Sequence, residues 1–385
     1  MRVLILGGRA PVALDLARRF ARSGHTVLIG DSASSRLSGA SRAVAITLPR
    51  LPAPRTQLAD YASALRRHIA RERIDLVIPT CEETFYLSHI RSQLPAQCAV
   101  FAAPIGQLQQ LHSKLAALRA AATAGIRVPA SAEISTIDEA RDWARGRAVV
   151  LKPEYSRFGV HVRSYDAGIP HDTLPLPTLG RWVAQELCAG TELCSYAVAV
   201  HGRLCLNITY QPVYRLARSS GYYFEAREVP EIDAGIARLV ALLGYHGQIS
   251  FDWFVDAQGR ATMIECNPRA VSGLHLLPEE DDPVGAAILD GRSAQFDAVA
   301  PRPRMLAAVM LGAGLPRAVA SGHLRRWWHD WRRASDVLML PGDRAPAGGA
   351  LRDLCASVGL AWHGHCSLRE VATQDIEWDG KPLPE

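Results

Sequence analysis

No apolar run in this 385-residue chain approaches the ~20 residues a membrane-spanning helix needs, so no membrane span is expected. The opening Met1-Arg-Val-Leu-Ile-Leu-Gly-Gly8 has too short an apolar stretch, and no small-residue cleavage site, to be a signal peptide. It reads as a first strand. None of the eight cysteines forms a C-x-x-C pair. Cys81, Cys98, Cys188, Cys194, Cys205, Cys266, Cys355 and Cys366 are scattered, and read as reduced, mostly buried thiols of a cytoplasmic protein. Neither sign of charge dominates: 43 Lys and Arg against 38 Asp and Glu leave a formal net charge of +5. That suits a small anionic substrate and is too weak to argue for nucleic acid. No repeat or low-complexity tract is present.

Hydrophobic residues make up 48% of the chain, and its length suggests two or three domains with real cores. Residues 2–6, a helical pattern through Val12, Leu16 and Phe20, and a strand Thr26 to Ile29 ending at Asp31 form a βαβ opening of the Rossmann kind. An acid after the second strand is what an NAD site would carry. The glycine pattern argues against it, because Arg9 and Pro11 interrupt G-x-G-x-x-G and its last glycine is missing. Residues 56–71 read as a helix and Asp75 to Pro79 as a buried strand. Glu82 and Glu83 follow at that strand's carboxyl end, where open α/β sheets bind ligands; they serve equally as the acidic start of the next helix. Residues 98–102 make another strand.

Leu108, Leu111, Leu115 and Leu118 are spaced as one apolar helix face, with Lys114 beside it and Gly125 ending the helix. Residues 136–145 are a short helix. Ala148-Val-Val-Leu-Lys-Pro153 is a strand carrying Lys152, a charge that is expensive in an apolar strand unless it meets a partner. Strands Arg181–Leu187, Glu192–Val200 and Leu204–Ile208 follow, then a helix over 233–243. Gln248–Val255 and Arg260–Arg269 read as a hairpin about Asp256-Ala-Gln-Gly259. A symmetric loop sets Asp252 opposite Met263 and Ser250 opposite Glu265. Asp252, Glu265 and Asn267 then share one face; Phe251, Trp253, Val255 and Ile264 share the other. The first face suits a hard divalent cation, and suits equally a solvated sheet surface with an acidic rim.

Beyond residue 300 the signals fade. Arg325–Arg333 reads as a helix whose tryptophans pack while its arginines stay in water, with an anionic partner or membrane surface as the alternative. Pro346-Ala-Gly-Gly349 reads as a loop. His363, His365 and Cys366 lack a fourth ligand at zinc spacing. Asp375-Ile-Glu-Trp378 either reaches the active site or caps the fold.

The order of features says more than any one of them. Lys114 precedes G-I-x-V-P; V-V-L-K-P carries Lys152 ahead of a glycine-containing loop; Q-E-L-x-x-G-x-E runs from Gln185 to Glu192; and D-x(12)-E-C-N-P-R closes the set. Over roughly residues 1–295 this resembles the ATP-grasp superfamily, in the branch of carbamoyl-phosphate synthase large-chain halves and biotin carboxylase. The resemblance implies an α/β Rossmann-like pre-ATP-grasp domain (1–105), a two-lobed α+β ATP-grasp domain (106–298, lobes 106–185 and 186–298) and a C-terminal extension (299–385). Lys114 and Lys152 would hold ATP phosphates. Gln185, Glu186, Leu187 and Cys188 would be the adenine hinge, with Glu186 nearest the base and Leu187 offering backbone groups. Glu192 would take the ribose hydroxyls. Asp252, Glu265 and Asn267 would hold two Mg²⁺ ions, or Mn²⁺, and Arg269 would contact the substrate carboxylate or an acyl-phosphate. The phosphate loop is poorer in glycine and serine than in many members, and Arg157 would supply charge there. No biotin-acceptor or glutaminase signature appears. The implied reaction is ATP-dependent activation of a small carboxylate for attack by an amine, in an enzyme that is a dimer in many relatives. A non-amine acceptor, a non-catalytic nucleotide-binding protein and an NAD-dependent oxidoreductase are the alternatives.

Overall fold

The computed structural model describes residues 1–155, 161–178, 180–216, 221–279, 282–293 and 302–384. Arg157 lies outside them. Three sheets organise the described chain.

The first is all parallel, in the order Ile46–Thr47, Thr26–Gly30, Arg2–Leu6, Leu76–Ile78, Ala99–Val100. Short runs of Val, Leu and Ile are buried on both faces, as a sheet flanked by crossover helices requires. Strand order reverses on either side of Arg2–Leu6. The carboxyl ends there carry Gly7-Gly8-Arg9 and Thr80–Glu83, at the switch point where such sheets take ligands. Gly7 has φ of +78°, and a side chain on it would run into Thr80 and Glu83. The glycine pair therefore serves close packing. Asp31, the acid of the NAD reading, is ion-paired with Arg9. Its side chain is only 2% exposed, which withdraws the carboxylate from a ribose.

The second sheet is antiparallel, in the order Ser131–Ile134, Trp182–Glu186, Val149–Pro153, Arg163–Tyr165, closed over a small core that includes Val149, Leu151 and Trp182. The third runs Ala261–Asn267, Gly247–Val255, Thr191–Val200, Arg203–Arg215, Gly221–Ala226, Arg304–Met305, Ser335–Asp336, antiparallel except for its last pair. Arg203–Arg215 is longer than the sequence pattern suggested. It runs through Pro212 because the register shifts there, where a missing N–H is tolerated.

Three expectations need correction. The helix drawn through Leu108–Leu118 is two helices, Ile105–His112 and Lys114–Thr123, broken at Ser113, whose backbone is extended and whose hydroxyl accepts from the Ala116 N–H as an N-cap. Pro346–Gly349 is no loop but the first turn of the helix Ala345–Gly364. Proline is tolerated in a first turn, and a Cβ on Gly349 would overlap the Arg36 carbonyl, so glycine marks a close helix crossing. The hairpin register is also shifted. Asp252 pairs with Glu265, Ser250 with Asn267 and Trp253 with Met263, leaving Ile264 as the extra residue of a bulge. The bulge turns Met263 and Cys266 into the core beside Phe251 and Trp253, while Ile264 stays half-buried outside it.

Candidate active site

Lys152 is 5% exposed. Its Nζ donates to Gln185 Oε1 (3.0 Å) and the Ile264 carbonyl (3.4 Å), and stands 4.0 Å from Glu265 Oε2. These partners bridge the second and third sheets. The bulge carbonyl is thus a lysine ligand. Burial pushes the Lys152 ammonium down to about 8, against the pull of Glu265. Lys114 is equally buried, and its Nζ donates to the Glu154 carbonyl (3.1 Å). It is the first residue of its helix, where the dipole disfavours a cation and favours an anion. Lys114, Lys152 and Lys381 are all the lysines of this arginine-rich chain, and two of the three converge here. That scarcity was a sequence signal that motif reading passed over.

Asp252 and Glu265 face each other directly across the hairpin rather than diagonally. Burial, then Glu265, pushes the Asp252 carboxyl up to about 6. Burial would raise Glu265 as well, but Lys114, Lys152, His112 and Arg269 outweigh it and hold this carboxyl below its usual range. Asn267 is on the same strand, and its Oδ1 accepts from Arg269 Nη2 (3.2 Å). Two carboxylates and an amide oxygen are a hard donor set of the kind that holds Mg²⁺. Asp252 is disfavoured as an anion first by burial and then by Glu265, and a dication between the two carboxylates would offset both, so the residues fit such an ion.

At the hinge, Gln185 is buried with its amide divided between Lys152 and Ser131 Oγ. Glu186 is exposed, and its N–H donates to the Ala130 carbonyl (2.9 Å). The Leu187 N–H donates to the Ala148 carbonyl (3.3 Å). That N–H is thus already engaged within the protein. Cys188 is half-buried beside Lys152. Glu192 is the second residue of the strand Thr191–Val200 and is ion-paired with Arg215 (2.7 Å).

Ser113, Glu154, Cys194 and His112 stand at the site without having been singled out for it, and of the two acids weighed for it, Glu82 and Glu83, one does so. Ser113 Oγ donates to the Glu154 carboxylate, which also meets Arg181 Nε at 2.7 Å, so the end of the strand bearing Lys152 is tied to the start of the helix bearing Lys114. Cys194 pairs with Asp252 across the sheet and donates its thiol to that carboxylate. Glu83 caps its own loop by accepting from the Thr80 and Cys81 N–H groups, as the helix-start reading implied. Glu82 instead turns to the site, its Oε1 3.9 Å from Arg269 Nε. His112 is buried near it, pushed down to about 4 by burial.

No family model matches the chain, and no curated protein matches it. Solved structures do. N5-carboxyaminoimidazole synthetase from Staphylococcus aureus aligns with a TM-score of 0.58 at 13% identity, covering 78% of this chain and 80% of that one. The L-amino acid ligase from Bacillus licheniformis gives 0.56 at 15%, covering 78% of each. The biotin carboxylase domain dimer of the Hydrogenobacter thermophilus 2-oxoglutarate carboxylase, in complex with MgADP, ADP and bicarbonate, gives 0.60 at 12%, covering 77% and 71%. No helix among the described residues is long and apolar enough to cross a membrane. With its sheet order and these likenesses together, the chain has the fold of the ATP-grasp superfamily.

Proposed function

We propose that this protein is an ATP-dependent ligase that activates a small carboxylate as an acyl-phosphate, releases ADP, and passes the acyl group to an amine with loss of phosphate. The observation that carries this is Lys152: a buried ammonium pushed down to about 8, facing Glu265 across two sheets, in a chain with so few lysines. A polyanion beside it restores the charge balance that burial upsets.

In this reading Lys152 and Lys114 hold nucleotide phosphates, the second assisted by the amino end of its helix. The hinge Gln185–Cys188 receives the adenine, and Glu192 the ribose. Asp252, Glu265 and Asn267 hold Mg²⁺, which, when bound, neutralises charge on the β- and γ-phosphate oxygens. Arg269 binds the substrate carboxylate in its planar fork. A carboxylate oxygen attacks the γ-phosphorus as the bond to the β-phosphate oxygen breaks, and ADP leaves with that electron pair. The amine lone pair then attacks the acyl carbon, the bond to the phosphate oxygen breaks, and the amine proton is lost to solvent. The protein's share is positioning and charge neutralisation. Residues 1–105, 106–298 and 299–385 would be its pre-ATP-grasp, ATP-grasp and C-terminal parts.

The test is nucleotide analysis of Mg-ATP incubated with pooled carboxylates and hydroxylamine as surrogate amine. ADP with hydroxamate is expected, lost in Glu265→Gln. AMP with pyrophosphate would mean adenylate chemistry and overturn the reading.

A further inference from the structure

The last residues of the chain cross the carboxyl ends of the parallel sheet. After the helix Leu368–Thr373, Asp375 accepts from both terminal nitrogens of Arg9 (2.8 and 2.7 Å) and from Ser32 Oγ (2.7 Å), beside the strands Arg2–Leu6 and Thr26–Gly30. Two residues on, the Glu377 carbonyl accepts from Tyr86 Oη (2.8 Å). Trp378 then sits among Phe85, His112 and Tyr155, its ring centroid 5.2 Å from Phe85, 5.9 Å from His112 and 5.2 Å from Tyr155. Tyr155 lies two residues past the strand Val149–Pro153, and Gly380 lies against its ring so closely that a Cβ would overlap it. The segment is thus a strap tied at one end to the parallel sheet and at the other to the root of the strand bearing Lys152.

A strap that only covered apolar surface would need its rings alone. This one also sends a backbone N–H into the site. The Trp378 amide donates to Glu82 Oε2 (3.3 Å), while the other oxygen of that carboxylate lies 3.9 Å from Arg269 Nε. The Glu82 side chain is 1% exposed, so its charge is taken out of water and oriented by these two contacts. Arg269 is in turn held from the other side by Asn267 Oδ1 (3.2 Å). The chain of contacts runs from tail backbone to buried carboxylate to guanidinium.

We infer that the strap is a working part of the site: Trp378 and Glu82 are positioning residues that set the Arg269 guanidinium for the substrate carboxylate. This rests on the ligase reading given above. It assigns to this segment a share in carboxylate binding and none in nucleotide binding, because the N–H it sends into the site reaches Glu82, which faces Arg269.

The experiment compares Glu82→Gln, Trp378→Ala and Trp378→Phe with the unaltered chain. It follows ADP release with the carboxylate drawn from the pooled assay and hydroxylamine as nucleophile, with Mg-ATP affinity measured separately by calorimetry. Glu82→Gln keeps an acceptor for the Trp378 N–H and removes the charge facing Arg269. The expected result is a five- to tenfold rise in KM for the carboxylate in Glu82→Gln and Trp378→Ala. Trp378→Phe should lie within about twofold of the unaltered chain, and Mg-ATP affinity should change by less than twofold in all three. Carboxylate KM unchanged in folded Glu82→Gln would overturn the inference. So would carboxylate and nucleotide constants that worsen together with the melting temperature, since that is what a merely structural strap gives. Should Trp378→Ala fail to fold, Glu82→Gln and Trp378→Phe decide alone. An unaltered chain that binds Mg-ATP yet releases no ADP with any carboxylate would overturn the ligase reading itself, and this inference with it.

Discussion

Lys152 Nζ stands 4.0 Å from Glu265 Oε2, and the two side chains reach each other from different sheets. The pair joins the lobe that would grip the nucleotide to the hairpin that would hold its metal. Because burial holds the lysine down to about 8, its charged form is a burden on the empty fold at neutral pH. Lys152→Met is therefore expected to leave the protein as stable as before or more so, by up to about 2 kcal/mol. The same change should weaken Mg-ATP at least ~10-fold, a loss of about 1.4 kcal/mol. Thermal melts with and without Mg-ATP check both halves. A variant that loses stability yet keeps its nucleotide shift would show the lysine to be structural.

Asp252 and Glu265 repel each other across the hairpin, with Asp252 the more deeply disfavoured as an anion. Asp252→Asn should stabilise the metal-free protein by about 1–2 kcal/mol while cutting turnover ~10²–10³-fold. Chemical unfolding in chelator, paired with rate measurements in Mg²⁺, reads out the opposed signs.

His112 gives a pH dependence. Burial holds the imidazole at about 4, below the ~6.5 of an unfolded histidine, so between these values the unfolded chain binds more protons. Its contribution is complete above pH ~6.5 and is lost as the pH falls toward 4, by at most about 3 kcal/mol. His246, also pushed down to about 4 by burial and then by His201, acts in the same direction. Urea unfolding at pH 7.5 and pH 5 should show this loss, and His112→Phe should reduce it to the share of His246.

Gly349 allows the helix Ala345–Gly364 to touch the turn at Arg36. The obstacle to a side chain there is backbone, which no rotamer change relieves. Gly349→Ala should cost about 1–3 kcal/mol in denaturant unfolding, with Mg-ATP affinity unchanged.

The alternation of short apolar runs and helices was legible, because a parallel sheet buried on both faces leaves few ways to write its strands. The site's ordered motifs were legible too: Lys152 stands out as a charge within V-V-L-K-P. The bulge at Ile264 was not, since a single extra residue leaves the alternation of the hairpin readable in two registers. The break at Ser113 hid inside a stripe of leucines whose spacing continues across it, although a serine three residues before Ala116-Ala117 is an N-cap signal. The sequence left Asp375–Trp378 open between reaching the active site and capping the fold, for another reason. The strap's partners Arg9, Glu82 and Tyr155 lie hundreds of residues away, and nothing local in Asp375–Trp378 announces them.

The most direct measurement follows an oxygen atom. The carboxylate found active in the pooled assay is labelled with ¹⁸O in both oxygens and turned over with Mg-ATP and hydroxylamine, and the phosphate released is examined by mass spectrometry. Attack by the carboxylate on the γ-phosphorus leaves one ¹⁸O in each phosphate. Unlabelled phosphate would mean that water, not the carboxylate, had taken the phosphoryl group, and label in AMP would mean an adenylate; either result contradicts the account.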